Sequence, residues 1–177
     1  MVLKLVEEVL TKVMGEILIG TCSWTDPTLI ESGRFYPTWA RSAEARLQYY
    51  ASQFGLVEVD SSYYALPSER TSQLWVARTG EKFIFDIKAF RLFTQHPTPL
   101  TALPGDIRQA LPLDAKERIN IYQRDIPTEL LSELWSRFEG ALLPLDSAGK
   151  LGVVLCQFPP WFYPDEQQLD YILSCRK

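Results

Sequence analysis

Four apolar stretches of this 177-residue sequence each end in a run of polar and aromatic residues, and this repeated junction most constrains the fold. The apolar stretches predict four strands, over residues 16–22, 56–60, 82–88 and 151–157. Three of them precede segments with helical spacing of apolar residues, which is the pattern of β/α units. In folds built from such units, ligands bind at the C-terminal ends of the strands. The junctions therefore predict where a functional site lies, and they leave its chemistry open.

Helices are predicted between and after these strands. Ser42 is a suitable N-cap for a helix over about 43–54. We predict four further helices, over 2–13, 67–78, 128–138 and 164–175. Four β/α units are half of an eight-stranded barrel, or a small open parallel sheet. We predict an α/β, TIM-barrel-like fold in which about four of eight units are present, within one domain over 1–177.

The segment 90–126 differs from the rest of the chain in its proline content. The prolines in it or at its edge are Pro97, Pro99, Pro104, Pro112 and Pro127. Proline interrupts long regular elements, and irregular segments of this length are usually functional lids or disordered inserts. We therefore predict a Pro-rich loop or insert within the domain.

Composition restricts the partners and the location of the chain. The net charge of -4 argues against a general nucleic-acid binder, which needs a basic surface. No apolar run reaches the roughly 18 residues of a membrane span, and Glu7, Glu8 and Lys12 interrupt the only candidate signal peptide. We expect a cytoplasmic protein with no membrane association.

The cysteines and the single histidine restrict the chemistry. Cys22, Cys156 and Cys175 are widely spaced and are predicted to be reduced thiols, with Cys156 in a packing role and Cys22 placed where a reactive thiol can sit. Because His96 is the only histidine, a zinc or iron centre with several histidine ligands is excluded. No metal site is predicted, with magnesium on Asp60 and Glu58 left as an open alternative. The absence of a Gly-rich phosphate-binding motif leaves the cofactor unknown.

Charged residues occur on the predicted interior face of two strands. Alternation along each strand directs Glu58 and Asp60 inward from one strand and Asp86 and Lys88 inward from the next. One interpretation is a buried salt-bridge network, which suits Glu58 and Asp86 deep in the strands. The other is a functional site at the strand ends, where Lys88 acts as acid, base, Schiff-base nucleophile or anion clamp beside Asp60.

Aromatic side chains and His96 lie close to the same strand ends in sequence. His96 follows Lys88 in the next turn, where it is either a proton shuttle or an exposed loop histidine. The aromatic residues either wall a pocket for a sugar, a base or another flat ligand, or plug the barrel mouth. They are Trp24, Tyr63, Tyr64, Phe158 and Trp161.

Five ordered motifs carry a resemblance to a known family. They are Gly20-Thr21-Cys22-Ser23-Trp24, Phe35-Tyr36-Pro37, Glu58-Val59-Asp60-Ser61-Ser62-Tyr63-Tyr64, Phe85-Asp86-Ile87-Lys88 and Gln157-Phe158-Pro159-Pro160. Over about 16–175 the chain resembles the YecE-like family, also called domain of unknown function 72. The resemblance implies a TIM-barrel-like fold with no established activity. It also implies longer relatives, so that this chain corresponds to an N-terminal half.

The candidate site residues match motif positions of that resemblance, which assigns none of them a role. We predict Lys88, Asp60 and His96 as catalytic residues. The predicted ligand-binding residues are Thr21, Ser23, Trp24, Ser62, Tyr63 and Gln157.

Two classes of function follow, together with a fragment hypothesis. The first is an enzyme-type pocket for a small polar or anionic molecule, in which Lys88 binds or activates the anion, Asp60 sets the lysine charge, and Trp24 with Tyr63 shapes the pocket. The alternative is a non-catalytic nucleic-acid or protein binding module that uses the modest basic bias of 90–126. The third hypothesis is that the chain is a fragment with no activity of its own. A half-barrel exposes strand edges, so we also expect a homodimer if this chain is the native one.

Overall fold

The computed structural model describes residues 17–163 and 165–175, so the predicted helix over 2–13 lies outside the described residues. The strands are β1 (Leu56–Val59), β2 (Ile84–Lys88), β3 (Thr98–Pro99), β4 (Asn120–Ile121) and β5 (Leu151–Leu155). β1, β2 and β5 form a parallel sheet in that order, with β2 in the centre. β3 and β4 form a separate antiparallel pair. The fold is therefore mixed α/β around a short parallel sheet.

The helices are α1 (Pro27–Glu31), α2 (Ala43–Gln53), α3 (Ser61–Tyr64), α4 (Glu69–Ala77), α5 (Gly105–Ala110), α6 (Leu113–Lys116), α7 (Thr128–Ser147) and α8 (Glu166–Ser174). The side chains of Ser42, Ser68 and Asp165 cap α2, α4 and α8 by accepting a backbone N–H from the first turn. α7 continues to Ser147 beyond the predicted end at 138, because a further set of buried apolar residues keeps the helical spacing. None of the helices in the described residues is long and apolar enough to cross a bilayer.

The prediction of a first strand over 16–22 is wrong for most of the residues in that range that the structure describes. The only pairing of that range within the described residues is a single parallel bridge between Cys22 and Glu58. The buried Tyr50 hydroxyl takes the place of further pairing, because it accepts from Thr21 N at 2.7 Å and donates to Leu56 O at 3.2 Å. A side-chain hydroxyl thus satisfies backbone groups that a longer ladder would have joined.

The sheet is irregular between β2 and β5. Phe85 pairs with Leu151, but Ile87 pairs with Val154, so β5 carries an extra residue as a β-bulge. The Asp86 carboxylate accepts the Val153 backbone N–H at 2.9 Å. Asp86 therefore satisfies a backbone group at the bulge. It forms no ion pair among the described residues, so its contact is structural but is not the salt bridge that one interpretation expected.

Side-chain alternation along β1 and β2 is confirmed. Val57, Val59, Phe85 and Ile87 are at most 1% exposed and face the helix layer. The other face carries the charged residues, which are half-buried. By contrast β5 is exposed along most of its length, although its apolar composition is typical of a covered parallel strand.

Residues 90–126 form short elements that pack into the core. The segment contains α5, α6, β3, β4 and two 3₁₀ turns, Leu100–Ala102 and Gln123–Asp125. Its buried side chains include Phe90, Phe93 and Ile121, and the Phe93 ring stacks on Trp135 of α7 with centroids 3.7 Å apart. The segment is thus folded onto α7. That it is an insert relative to the family stays a prediction.

Candidate functional site

An ion pair joins the C-terminal ends of β1 and β2. Lys88 Nζ lies 2.8 Å from Asp60 Oδ1 and 3.9 Å from Glu58 Oε1. Lys88 is the last residue of β2, and Asp60 follows β1 directly. Because the two strands are parallel and neighbouring, their last interior-facing residues meet. The structure therefore brings together two of the three predicted catalytic residues.

The surroundings of Lys88 favour a charged ammonium. Burial alone lowers the pKa of Lys88, but the hydrogen bond and charge of Asp60, with the charge of Glu58, outweigh it and the pKa is raised. An amine that stays protonated at neutral pH is neither a Schiff-base nucleophile nor a general base. Of the four roles open for Lys88, base and Schiff-base nucleophile are therefore disfavoured, and acid and anion clamp stay predictions.

Tyr63, on α3, lies between two cations. Lys88 Nζ is 5.1 Å from the centroid of its ring, and Arg91 Cζ is 5.3 Å from it. Such distances are typical of cation–π contacts. Burial raises the pKa of Tyr63 against the opposing charges of Arg91 and Lys88, so the phenol keeps its proton and can donate it in a hydrogen bond.

His96 lies on the far side of Tyr63. Together with Asp60, Lys88, Tyr63 and Arg91 it forms a connected set of side chains, here called the contact chain. The two rings meet edge to face at 5.3 Å between centroids, and Trp161 lies 6.3 Å beyond His96. Burial, with the charges of Arg91 and Lys88, lowers the pKa of His96 and favours the neutral imidazole. Nδ1 lies 3.0 Å from the Thr94 hydroxyl, which leaves Nε2 as the nitrogen available to a ligand. The third predicted catalytic residue thus belongs to the same cluster.

Arg91 is a site residue that the sequence did not single out for this cluster. No ion pair of Arg91 is present among the described residues, and its Nε is buried without a hydrogen-bond partner there. Its backbone N–H donates to Tyr63 O at 3.1 Å, which ties the loop after β2 to α3. The available signal was its position three residues after the end of β2. Buried polar groups normally have partners, so an Nε without one is an exception within the described residues.

Ser62 links the two strand ends that carry the site. Its buried hydroxyl lies 2.7 Å from Val59 O and 2.6 Å from Lys88 O. A hydroxyl has one proton, so it donates to one carbonyl at a time and bridges the ends of β1 and β2. This contact holds the strand ends together, and it does not present the hydroxyl to a ligand.

Trp24 packs on the opposite side of the sheet. Ser23 has a left-handed backbone, with φ of 76°, and the indole of Trp24 then contacts Trp75 and Phe85 with centroids 5.7 and 6.4 Å away. Both partners belong to the core between sheet and helices. The structure therefore does not bring Trp24 to Tyr63, with which it was predicted to shape a pocket.

Three further predicted ligand-binding residues lie outside the contact chain. The Thr21 hydroxyl bonds to Tyr50 Oη and to Ser23 O, and the Ser23 hydroxyl bonds to Thr25. The contacts of Ser23 are local, whereas that of Thr21 with Tyr50 ties the 21–25 segment to α2. Gln157 is exposed after β5, and no side-chain hydrogen bond of it occurs in the part of the chain that the structure describes.

A cleft of about 890 Å³ adjoins the charged cluster, which consists of Asp60, Lys88, Arg91 and the neighbouring Tyr63 and His96. Its walls include Gln95, Tyr122, Trp161, Gln168 and Tyr171, and Lys88 is not among them. The cleft and the charged cluster meet at Trp161, which also faces His96. The cleft therefore lies beside the ion pair and not on it.

Cations of the 90–126 segment are partly neutralised. Arg118 pairs with Asp125 at 2.8 Å and with Asp114 at 3.7 Å. Lys116 donates to Gln109 O at 2.6 Å. The ion pairs of Arg118 weaken the basic bias on which the nucleic-acid alternative depends, whereas the Lys116 bond to a carbonyl leaves its charge unchanged. Over residues 17–163 and 165–175, no group of three or more histidine, cysteine, aspartate and glutamate side chains is arranged to hold a metal ion.

Comparison with known proteins gives one family. The sequence profile of the family described as "protein of unknown function DUF72" matches residues 18–177. The UPF0759 protein YunF of Bacillus subtilis (strain 168) is 32% identical over 160 residues, which are 90% of this chain and 46% of YunF. The chain thus spans about half the length of this curated relative.

Two crystal structures have a similar fold. A DUF72 family protein (EF0366) of Enterococcus faecalis V583, solved at 3.10 Å resolution, gives a TM-score of 0.61 at 23% identity over 91% of this chain and 46% of that one. A DUF72 family protein (TM1631) of Thermotoga maritima MSB8 gives a TM-score of 0.56 at 23% identity over 92% of this chain and 52% of that one. At this identity the likeness concerns the fold alone.

Proposed function

Because this chain belongs to the DUF72 family of proteins of unknown function, we propose its function from the chemistry of the site: Lys88 and Arg91 bind a small anionic molecule at the strand ends of a TIM-barrel-like fold. The observation that carries the proposal is the Arg91 guanidinium, which faces Tyr63 without an ion-pair partner among the described residues. Completion of the barrel beyond the described strands is part of the same proposal.

The charges at the site define what can bind. Asp60 and Glu58 offset much of the charge of Lys88, so Arg91 supplies the net attraction for an anion. The planar guanidinium binds carboxylate or phosphate oxygens through two parallel hydrogen bonds. The Tyr63 phenol adds a neutral donor at the same place. A small carboxylate or phosphate ester fits this set of groups.

A proton-transfer function follows from His96. A neutral imidazole beside two cations can accept a proton from a bound anion, since the same cations then stabilise the negative charge that develops. Lys88 and Arg91 would hold the ligand, and His96 Nε2 would move the proton. Hydrolase, lyase and isomerase reactions all contain such a step, and the proposal is limited to this shared step.

Binding of inorganic phosphate tests the proposal. Isothermal titration at pH 7 and low ionic strength would compare the wild type with Arg91→Gln and with Arg70→Gln, which changes an exposed arginine of α4. Loss of a charge-assisted hydrogen bond is worth about 1.5–3 kcal/mol, so Arg91→Gln should weaken binding at least about tenfold. Arg70→Gln should bind like the wild type. Equal affinity of all three proteins, or no phosphate binding by the wild type, would refute the site.

A further inference from the structure

The cleft beside the charged cluster has the size of a small-molecule site. Its volume of about 890 Å³ falls within the roughly 300–1,000 Å³ that is typical of ligand pockets. It opens between the 3₁₀ turn Gln123–Asp125, the start of α7 and one side of α8. Neither Lys88 nor Arg91 is among the described residues of its walls, so the proposed anion site does not use it.

The walls of the cleft are polar without a net charge. Four amide side chains contribute to them, which are those of Gln95, Gln123, Gln167 and Gln168. The charged side chains that the structure describes in the walls are Arg124 and Asp170, one of each sign. An amide offers both a donor N–H and an acceptor oxygen, and a hydroxyl likewise both donates and accepts. The walls thus match a neutral ligand with several hydroxyl groups.

Two of these amides are joined to each other. Gln95 Nε2 donates to Gln168 Oε1 at 3.2 Å. Within the part of the chain that the structure describes, neither glutamine has another side-chain hydrogen bond, so Gln95 Oε1 and Gln168 Nε2 are left for a ligand. The pair therefore presents an acceptor and a donor close together, which suits two neighbouring hydroxyl groups.

The backbone of Gln95 has a conformation that disfavours glutamine. Its φ is 61°, in the left-handed region. The turn is closed by two bonds, from Gln95 N to Leu92 O at 3.2 Å and from His96 N to Arg91 O at 3.0 Å. In a turn closed in this way, glycine is the usual left-handed residue, because a Cβ costs stability there. Strain of this kind concentrates at ligand sites, so the Gln95 amide in the cleft wall points to recognition.

Trp161 is the aromatic side chain that the cleft leaves open. It is 58% exposed, which is unusual for an indole. The other three aromatic rings of the walls already have partners, which are Arg124 at 4.7 Å from Tyr122, Phe158 at 4.2 Å from Phe162 and Phe158 at 6.2 Å from Tyr171. One open ring suits the apolar C–H face of a sugar, whereas an extruded nucleobase is held between two side chains.

We propose that this cleft binds a carbohydrate of about disaccharide size. One sugar ring packs on the Trp161 indole, and its neighbouring hydroxyls bond to the Gln95–Gln168 pair. Gln123 and Gln167 are the further amides that serve hydroxyl groups in the same walls. The site is independent of the anion site, so either can exist without the other.

Saturation-transfer NMR with the intact chain tests the proposal. The ligands are maltose, cellobiose and lactose, which differ in linkage or hydroxyl orientation, with adenosine as the comparison that carries a base. We expect at least one disaccharide to bind, and adenosine to bind it at least about tenfold more weakly than that disaccharide. Binding of none of the three disaccharides, or tighter binding of adenosine than of all of them, would overturn the proposal.

Two tryptophan variants locate the binding. Trp161→Ala should weaken disaccharide binding at least about tenfold, because the ring that covers the sugar is lost. The matched control is Trp39→Ala, which removes an indole that is 62% exposed and lies outside the cleft walls. Trp39→Ala should bind like the wild type. Equal affinity of Trp161→Ala and the wild type would refute the site.

Gln95→Gly and Gln95→Ala separate recognition from stability. Both variants remove the amide, so both should bind the disaccharide about fivefold more weakly. Alanine keeps the strained φ and glycine relieves it, so the Tm of Gln95→Gly should exceed that of Gln95→Ala by a few degrees. A Gln95→Gly protein that binds the disaccharide like the wild type would contradict the proposal, because the amide would then have no part in binding.

Discussion

Lys150 offers the sharpest test of how this fold is held together, through the substitution Lys150→Met. Lys150 is 5% exposed and directly precedes β5. Its Nζ donates to Val76 O at 2.9 Å, to Thr79 O at 2.8 Å and to Thr79 Oγ1 at 2.9 Å. All three protons of the ammonium are thus used just beyond the C-terminal end of α4, where unpaired carbonyls accumulate.

The expected loss of stability is worked from these three bonds. A hydrogen bond to a charged group contributes about 1.5–3 kcal/mol, but bonds that share one donor do not add fully. Methionine keeps the apolar stem and removes the cost of burying a charge without a carboxylate, which offsets part of the loss. Val76 O retains a long bond from Thr79 N at 3.5 Å, so Thr79 O is the carbonyl left unpaired. We expect a net loss of about 3 kcal/mol.

Urea unfolding followed by tryptophan fluorescence would measure the change. For a domain of this size, about 3 kcal/mol corresponds to a fall in Tm of roughly 6–12 °C. The matched control is Lys82→Met, which changes an exposed lysine and should alter stability by less than about 0.5 kcal/mol. A Lys150→Met protein within about 1 kcal/mol of the wild type would show that the ammonium does not cap α4.

Two predictions concern the charged cluster. Lys88→Met leaves Asp60 half-buried and unpaired, so we expect the free energy of unfolding to fall by about 1–3 kcal/mol. Adding Asp60→Asn to the same protein should restore most of this loss. Urea unfolding of both variants measures it, and a double variant as unstable as the single one would contradict the prediction. Because the pKa of His96 is lowered in the folded protein, the unfolded chain binds more protons as pH falls below about 6.5, and stability should fall with it. Thermal unfolding at pH 7.5 and at pH 5 should show a smaller pH effect in His96→Gln than in the wild type, and an equal effect would exclude this cause.

The pairing of Lys88 with Asp60 could be predicted from sequence because it depends on local rules. Side chains alternate along a strand, and the ends of neighbouring parallel strands lie together. Once the apolar residues of β1 and β2 are assigned to the helix layer, Asp60 and Lys88 must share the other face. The same reasoning places Asp86 deeper in the sheet, where it has a structural contact.

The parts that could not be predicted depend on contacts between distant segments. Tyr50, on α2, interrupts the pairing of the first predicted strand with a hydroxyl, and no pattern within 16–22 reveals it. The left-handed backbone of Ser23 directs Trp24 into the core, although serine has no strong preference for that conformation. Arg91 becomes a site residue only when the loop after β2 folds back onto Tyr63.

Gly152 and Asp86 restrict the substitutions that each other's position accepts. A Cβ at Gly152 would overlap the Asp86 carboxylate and the Ile84 side chain. A larger residue at position 152 therefore requires the Asp86 and Ile84 side chains to move or to become smaller. Movement or loss of the Asp86 carboxylate removes the acceptor of the Val153 N–H, which is itself unfavourable. Positions 86 and 152 are thus coupled, and substitutions at the two should show epistasis.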